Sequence, residues 1–382
     1  MNLSRRNVIA VVGGGVIAAA SLAGGYVVTR TPKTARLPWR HAGQYADVRR
    51  NALSYALLAP NPHNRQPWMV DLGEADTVVL YADPSRLLPE TDPFNRQITI
   101  GLGCFLELMV MAAAAEGYRV DLDVFPEGQD ASGLDARPVA WARFSADRSV
   151  TTDPLFDHVL ARRSLREPFD MERSVSPDVL KTLTVAASRG SRFGGSVAPE
   201  DIFYYRALTR AALLTEIETP RTYRESVDLF RIGYREVDAN PDGIHFTGPL
   251  FEALHTTGLF TRDSAVDTAS NTYKSGIAAL MANTDSAMGH VWLVTRGNSR
   301  SEQIQAGRDW VRVNLAATAI GLGLHPLSQA LQEYPEVQGY YTDLHERLAP
   351  TGGTVQMFGR IGYGPSTKPS PRWPLETRIV ET

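Results

Sequence analysis

Residues 60–68 read Pro-Asn-Pro-His-Asn-Arg-Gln-Pro-Trp and directly follow a stretch, 47–59, in which apolar residues recur at helical spacing. The three prolines restrict the backbone of this segment. The amide side chains of Asn61, Asn64 and Gln66 supply donors and acceptors that can pair with the edge of a planar, amide-like ring. An ordinary Pro/Asn turn between a helix and a strand would use the same residue types. The segment alone therefore leaves both interpretations open.

Residues 162–166 read Arg-Arg-Ser-Leu-Arg and form the second unusual segment. Guanidinium groups bind phosphate oxygens in bidentate fashion, so three arginines and a serine hydroxyl within five residues are suited to holding a phosphate. A solvated basic face would have the same composition. As with the first segment, these residues alone do not decide between the two.

Taken together, the two segments resemble those of the FMN-dependent nitroreductase family, in which segments of both subunits frame each flavin. Here the first half has only Arg49-Arg50-Asn51 where a phosphate segment would lie, and the second half has no second Asn-x-Gln-Pro-Trp. The chain therefore looks like a nitroreductase dimer fused into one polypeptide with one flavin, and it is similar to the Acg-like branch of the family. The resemblance implies an α+β, three-layer αβα fold with two tandem nitroreductase-like halves that form an intramolecular pseudo-dimer.

The resemblance also implies one FMN, which carries the electrons, so that no catalytic side chain is assigned. The residues that it assigns to the cofactor are Arg162, Arg163, Ser164 and Arg166 for the phosphate and ribityl chain, Pro60, Asn61, Pro62, Asn64 and Gln66 for the ring, Leu327, Ser328 and Gln329 for the reactive nitrogen, and Lys368 and Arg372 for a last phosphate contact.

An internal duplication is indicated by the similarity of residues 96–118 to residues 300–322, which includes the pairs Ile100/Ile304 and Gly103/Gly307. The predicted organisation is a linker at 31–44, a first half at 45–150 and a second half at 151–382, with a lid-like insertion at about 218–274 that has no clean period. Periodicity predicts helices at 47–59, 97–117, 157–164, 176–188 and 300–322, and strands at 76–81, 120–125, 139–144, 202–205, 291–295 and 354–361.

The N-terminal residues 1–30 have the composition of an export signal, with Arg5-Arg6 before an uncharged run. Paired arginines in this position resemble the signal read by the twin-arginine translocase. This predicts export to the periplasm or cell envelope, either with cleavage after Ala23 or with residues 8–28 retained as a membrane anchor. The glycines at 13–15 also match a dinucleotide-binding turn, but no carboxylate follows at the distance that this motif needs.

Composition limits the remaining classes of function. The 382 residues carry a net charge of -3, which gives no attraction to nucleic acid, and 43% are hydrophobic, enough for a real core. The single cysteine, Cys104, forbids an internal disulfide and is expected in the core, and no metal-binding histidine motif is found. We expect a monomer that acts on a small-molecule electron donor and acceptor. A flavin-sequestering or stress-related protein with little turnover, and a degenerate fold without cofactor, remain as alternatives.

Overall fold

The computed structural model describes residues 30–380. The predictions of a twin-arginine signal, of cleavage after Ala23 and of a membrane anchor lie outside the described residues. One described helix, Arg96–Ala115, is long and apolar enough to cross a membrane, but 83% of its apolar window is buried inside the protein. This helix is therefore part of the core.

Helices and strands alternate along the chain. The helices are α1 (Leu37–His41), α2 (Val48–Ala56), α3 (Arg96–Ala115), α4 (Asp178–Ala186), α5 (Pro199–Glu218), α6 (Pro220–Asp228), α7 (Gly233–Ala239), α8 (Pro249–Thr256), α9 (Arg262–Val266), α10 (Asn271–Asp285), α11 (Arg300–Ala319) and α12 (Gln338–Leu348). The strands are β1 (Trp68–Asp71), β2 (Thr77–Ala82), β3 (Tyr118–Val124), β4 (Ala140–Ala146), β5 (Arg192–Ser196), β6 (Phe230–Ile232), β7 (Ile244–Phe246), β8 (Gly289–Thr295), β9 (Gly323–Pro326), β10 (Thr354–Gly362) and β11 (Ile379–Val380).

The two main sheets have the same topology. In the first sheet the strands lie in the order β1-β2-β4-β3, and in the second they lie in the order β5-β8-β10-β9, with every one of these neighbours antiparallel. Each sheet thus takes its strands in the order first, second, fourth, third, with the long helix, α3 or α11, between the second and third. This agreement confirms the tandem arrangement of two similar halves. The C-terminal strand β11 then returns to pair in parallel with β1 of the first sheet.

The long helices α3 and α11 pack against each other at two glycines. A Cβ atom on Gly103 would lie 2.1 Å from the carbonyl oxygen of Ile304, and one on Gly307 would lie 1.9 Å from that of Ile100. Any side chain at either position would collide with backbone, so glycine is required for this approach. The contact is reciprocal and involves the same residue pairs that indicated the duplication. The pseudo-dimer axis therefore passes between these helices.

Apolar residues of β8 and β10 divide between the two faces of the second sheet. Val291, Leu293 and Ile361 face the main core with α11, whereas Val294 and Phe358 pack in a second cluster with α5 and α12. The second half therefore has helices on both faces of its sheet, which confirms the expected α+β class with αβα layers.

The region predicted as an irregular lid at 218–274 is largely helical. The segment between β5 and β8, here called the insertion (residues 199–285), contains α5 to α10 and a two-stranded parallel sheet of β6 and β7. It has its own small core around Val227, Ile232 and Phe260. Short helices broken by prolines gave no continuous period, so sequence periodicity missed them.

Two other sequence predictions were wrong. Residues 202–205 lie inside helix α5 rather than in a strand, and residues 159–164 are not helical beyond a short 3-10 turn at Pro154–His158. The predicted linker at 31–44 is held in place, because α1 lies within it and Trp39 is buried, with its indole N–H donating to the carbonyl oxygen of Ser370 at 2.8 Å.

Candidate functional site

The two unusual segments of the sequence lie together in the structure. The Nη2 of Arg162 donates to the carbonyl oxygen of Leu58 at 2.9 Å. The backbone amide of Leu165 donates to the carbonyl oxygen of Leu324 in β9 at 3.0 Å. The arginine segment (residues 162–166) thus bridges the loop that follows α2, here called the Pro-Asn loop (residues 57–67), and the edge of the second sheet. Each half of the chain contributes one of the two segments.

Arg162 is a buried cation with unused donors. Its side chain is 2% exposed, and its Nε and Nη1 atoms have no hydrogen-bond partner among residues 30–380. Burial lowers the pKa of Arg162 to about 10, so the group stays protonated at neutral pH. A buried guanidinium with unpaired N–H groups is unfavourable by itself and is satisfied by an anionic ligand.

Arg166 lies in an open cleft. Its side chain is exposed to solvent, yet burial lowers its pKa, and these two observations agree only for a group at the bottom of a concave surface. Within the described chain no hydrogen bond or ion pair involves its guanidinium.

Three histidines from distant segments surround Arg166. Burial lowers the pKa of His63 to about 4 and that of His245 to about 3, and it lowers the pKa of His325 well below its usual value. The charge of Arg166 contributes to all three shifts. All three imidazoles are therefore neutral near pH 7. The sequence analysis assigned none of them, because their segments are far apart in the chain.

The side-chain amides of the Pro-Asn loop form hydrogen bonds to protein groups, and their pairing with a ring edge stays a prediction. Gln66 is fully buried, and its Nε2 donates to the carbonyl oxygen of Pro241 at 2.7 Å while its Oε1 accepts from the amide of Trp373 at 2.9 Å. Asn61 accepts from the amide of Gln66 at 2.7 Å, and Asn64 donates to the carbonyl oxygen of Pro371 at 3.1 Å. These side chains fix the loop, leaving its backbone and prolines to line the cleft.

The backbone of the same loop is strained. His63, Asn64 and Gln66 have φ values of 48°, 52° and 51°, in the left-handed region that non-glycine residues rarely adopt. Such conformations persist where surrounding contacts enforce them, and they cluster at functional sites. The side-chain contacts of Gln66 and Asn64 supply this enforcement.

Arg372, which was predicted to contact the phosphate, is engaged by protein acceptors in this structure. Its Nε donates to Leu57 at 2.8 Å, its Nη2 to Leu58 and Ala59 at 3.2 and 3.0 Å, and its Nη1 to Asn64 Oδ1 and the Pro371 carbonyl at 2.5 and 2.9 Å. All five N–H groups are therefore used, four of them to hold the Pro-Asn loop.

Two other basic residues were assigned to the phosphate, Lys368 and Arg163. The side chain of Lys368 is exposed to solvent. The Arg163 guanidinium lies 4.8 Å from the ring centre of Trp39, and that of Arg372 lies 5.6 Å from it. Trp39 is thus a site residue that the linker prediction missed.

The segment Leu327-Ser328-Gln329 follows β9 directly. The amide of Leu327 donates to the carbonyl oxygen of Phe358 at 2.9 Å, so it is used in the sheet. Ser328 precedes a 3-10 turn that begins at Gln329, and the first amides of such a turn have no acceptor within it. Of the three predicted backbone donors, those of Ser328 and Gln329 remain available.

The insertion packs against the first half and is fixed to it by a buried ion cluster. Asp242 accepts from Arg86 Nη1 at 2.7 Å and from Arg231 Nη2 at 2.8 Å, and lies 3.6 Å from Arg65 Nη1. Its side chain is 6% exposed. Ser226 Oγ lies 3.0 Å from His63 Nε2, which adds a direct contact between the insertion and the Pro-Asn loop.

In the second half, the loop that corresponds to the Pro-Asn loop packs closely against neighbouring side chains. There the short loop 187–191 joins α4 to β5, and a Cβ atom on Gly190 would lie 2.1 Å from Gln305 Nε2. The fully buried Glu107 pairs with Arg189 and Arg308 at 2.9 and 2.7 Å. Burial raises the pKa of Glu107, but these guanidinium groups outweigh it and hold the pKa below its usual value. These guanidinium groups therefore have a buried carboxylate as partner, which Arg162 lacks.

Cys104 lies in α3 and is 1% exposed, which confirms the expectation of a core residue. Burial raises the pKa of its thiol to about 12, so it is not an ionised nucleophile. Among residues 30–380 no group of three or more His, Cys, Asp or Glu side chains could hold a metal ion.

Comparison with known proteins extends the resemblance beyond the two segments. No family model matches the chain. A Mycobacterium tuberculosis protein named "Putative NAD(P)H nitroreductase acg" is 27% identical over 337 residues, which cover 85% of this chain and 92% of that protein. A second protein of that organism, with the same description and the designation Rv3131, is 24% identical over 88% of this chain and 92% of its own.

Among solved structures, a nitroreductase with bound FMN from Bacteroides fragilis aligns with 57% of this chain and 91% of its own, at 14% identity and a TM-score of 0.31. Over most of its length, this chain is therefore similar to mycobacterial proteins that are named putative NAD(P)H nitroreductases.

Proposed function

We propose that the protein is an FMN-dependent oxidoreductase of the nitroreductase type, with one flavin bound between the Pro-Asn loop, the arginine segment and the turn at 327–329. The observation that carries this proposal is the set of unpaired donors on Arg162 and Arg166 in a cleft with no matching acceptor among residues 30–380. FMN carries a phosphate and a ring rich in hydrogen-bond acceptors, which fits such a cleft. The description of the acg relative as an NAD(P)H nitroreductase supports the same reaction class.

When bound, FMN would supply the transfer of two electrons from a reduced donor to an electron-poor acceptor. The side chains of the protein bind and orient. The unpaired Nε and Nη1 of Arg162 would hold the phosphate oxygens, and Arg163 is held in place by the ring of Trp39. Gln66 and Arg372 keep the Pro-Asn loop rigid.

The purified protein should be yellow or should become so on reconstitution with FMN. Arg162→Ala removes charge-assisted contacts that contribute about 1.5–3 kcal/mol each, so we expect FMN to bind roughly ten- to a hundredfold more weakly per lost contact. Arg224→Ala is the matched control, because this arginine makes only an exposed pair with Asp228 on α6. A colourless protein after reconstitution, or equal FMN affinity in Arg162→Ala, would contradict the proposal.

A second candidate function is flavin sequestration with little turnover. The buried Asp242 cluster favours it, because an insertion fixed in this way restricts entry to the cleft. Anaerobic NADPH and a nitroaromatic distinguish the two functions, with dithionite as the control that the flavin is reducible. Steady turnover supports the oxidoreductase. Bound FMN that only dithionite reduces supports sequestration.

We also propose that the protein is exported by the twin-arginine route as a folded monomer, with cleavage after Ala23 or retention of residues 8–28 in the membrane. The support is the Arg5-Arg6 pair and the uncharged run that follows it. This route carries folded proteins, so a flavin bound in the cytoplasm would travel with the chain. Replacing both arginines by lysine should retain the protein in the cytoplasm, as measured by cell fractionation.

A further inference from the structure

His325 is held in one tautomer by Arg360. The two residues lie directly opposite each other on β9 and β10, and Arg360 Nε donates to His325 Nδ1 at 3.0 Å. Burial lowers the pKa of Arg360 to about 10, which leaves it protonated at neutral pH. Because a guanidinium is always a donor, Nδ1 must be the acceptor. The single ring proton of His325 is therefore on Nε2.

Arg360 is itself fixed and cannot release the imidazole. It is fully buried, its Nη1 donates to Ser286 Oγ at 2.9 Å, and its Nη2 donates to the carbonyl oxygen of Glu167 at 2.9 Å. Its guanidinium also lies 4.1 Å from the centre of the Phe169 ring. These contacts come from two different segments, around residue 167 and at Ser286, so the orientation of the His325 ring is determined before any ligand binds.

The Nε2–H of His325 has no acceptor among residues 30–380. The imidazole is partly exposed, and the nearby charge that faces it besides Arg360 is Arg166, another donor. His325 immediately precedes Pro326 and the turn at 327–329 that the proposed flavin site uses. A fixed donor that no protein group occupies in this position is free to pair with a molecule that enters the cleft.

On the basis of the proposed function, we propose that His325 is a specificity-determining hydrogen-bond donor whose Nε2–H binds an oxygen of the electron acceptor. The site would thereby select acceptors that carry a nitro or quinone oxygen over acceptors that offer none. Rejection follows because an acceptor without such an oxygen would leave the donor desolvated and unpaired.

The test compares His325→Phe, which removes the donor, with His325→Gln, whose side-chain amide restores one. Binding of a nitrobenzoate to the oxidised holoprotein, followed by the change in flavin absorbance, reports affinity without turnover. We expect His325→Phe to raise the Kd and the KM of nitro and quinone acceptors about three- to tenfold, as for one lost neutral hydrogen bond. With ferricyanide, which offers no such oxygen, the loss should be smaller than with the nitro and quinone acceptors, and His325→Gln should recover most of the affinity.

Equal Kd values for wild type and His325→Phe with both acceptors, or an equal loss with ferricyanide, would overturn the inference. A wild-type protein that binds no FMN would overturn the proposed function itself. If His325→Phe does not fold, nitrogen NMR of the wild type decides. A protonated Nδ1, or an Nε2 signal that nitrobenzoate leaves unmoved, would contradict the role of His325.

Discussion

The Arg162→Met substitution is expected to stabilise the flavin-free protein while it weakens flavin binding. In the absence of an anion, Arg162 is a buried charge whose Nε and Nη1 have no partner within residues 30–380. Methionine has a similar length and leaves no charge to desolvate. The substitution removes one hydrogen bond, to the carbonyl oxygen of Leu58. This oxygen keeps a donor, because Arg372 Nη2 also donates to it at 3.2 Å.

The magnitude follows from two independent estimates. Burial lowers the pKa of Arg162 from 12.5 to about 10, and at 1.36 kcal/mol per unit this fall corresponds to roughly 3 kcal/mol. Two unpaired buried nitrogens at about 1–3 kcal/mol each give a similar figure. Arg162 is protonated in both the folded and the unfolded state at pH 7, so the full destabilisation is present there. It decreases only as the pH rises above about 10.

Urea denaturation of flavin-free wild type and Arg162→Met measures the effect. We expect the variant to gain about 2–3 kcal/mol in the free energy of unfolding and a few degrees in Tm, and to lose the further gain that FMN gives the wild type. Arg224→Met, on the surface of α6, should change stability by less than about 0.5 kcal/mol. A flavin-free variant that is less stable than wild type, with unchanged FMN affinity, would refute the reasoning.

Three further predictions concern the frame around the cleft. Asp242→Asn should destabilise the protein by about 3–5 kcal/mol and speed FMN release, because it removes the carboxylate that buried cations share. The control Asp228→Asn, at an exposed ion pair, should have almost no effect. Urea titration measures the stability of both variants, and flavin fluorescence measures FMN release. Gly307→Ala should lower Tm strongly, since its Cβ would collide with backbone, while Gly276→Ala, in an open part of a helix, should raise stability by roughly 0.5–1 kcal/mol. Burial raises the pKa of Glu216 from 4.5 to about 7, so its contribution to stability is complete below pH 4.5 and is lost as the pH rises through 7. Glu216→Gln should therefore flatten this part of the stability profile, and an unchanged pH dependence would contradict the assignment.

The two similar halves and their long helices could be predicted from the sequence because they depend on local patterns. The long helices α3 and α11 have clear helical patterns, and their shared glycines mark the position where they touch. Helix α5 was missed because Ile202 to Tyr205 have strand-forming side chains, although Pro199 and the acidic residues after it are typical of a helix start.

The roles of individual side chains in the cleft could not be predicted, because each depends on a partner far along the chain. Gln66 looked like a ring contact until its bonds to Pro241 and Trp373 were known. Arg372 looked like a phosphate ligand, but five acceptors in the fold use its N–H groups. His325 carried no sequence signal at all, since only the strand register places it opposite Arg360.

The close contact of α3 and α11 at Gly103 and Gly307 joins two halves that are covalently linked. In an assembly of separate subunits, such an interface would dissociate on dilution, and its melting temperature would depend on protein concentration. Here the second half is always present at the same effective concentration, set by the polypeptide itself. The cleft that the two halves build together should therefore stay intact at any dilution, even for a single molecule.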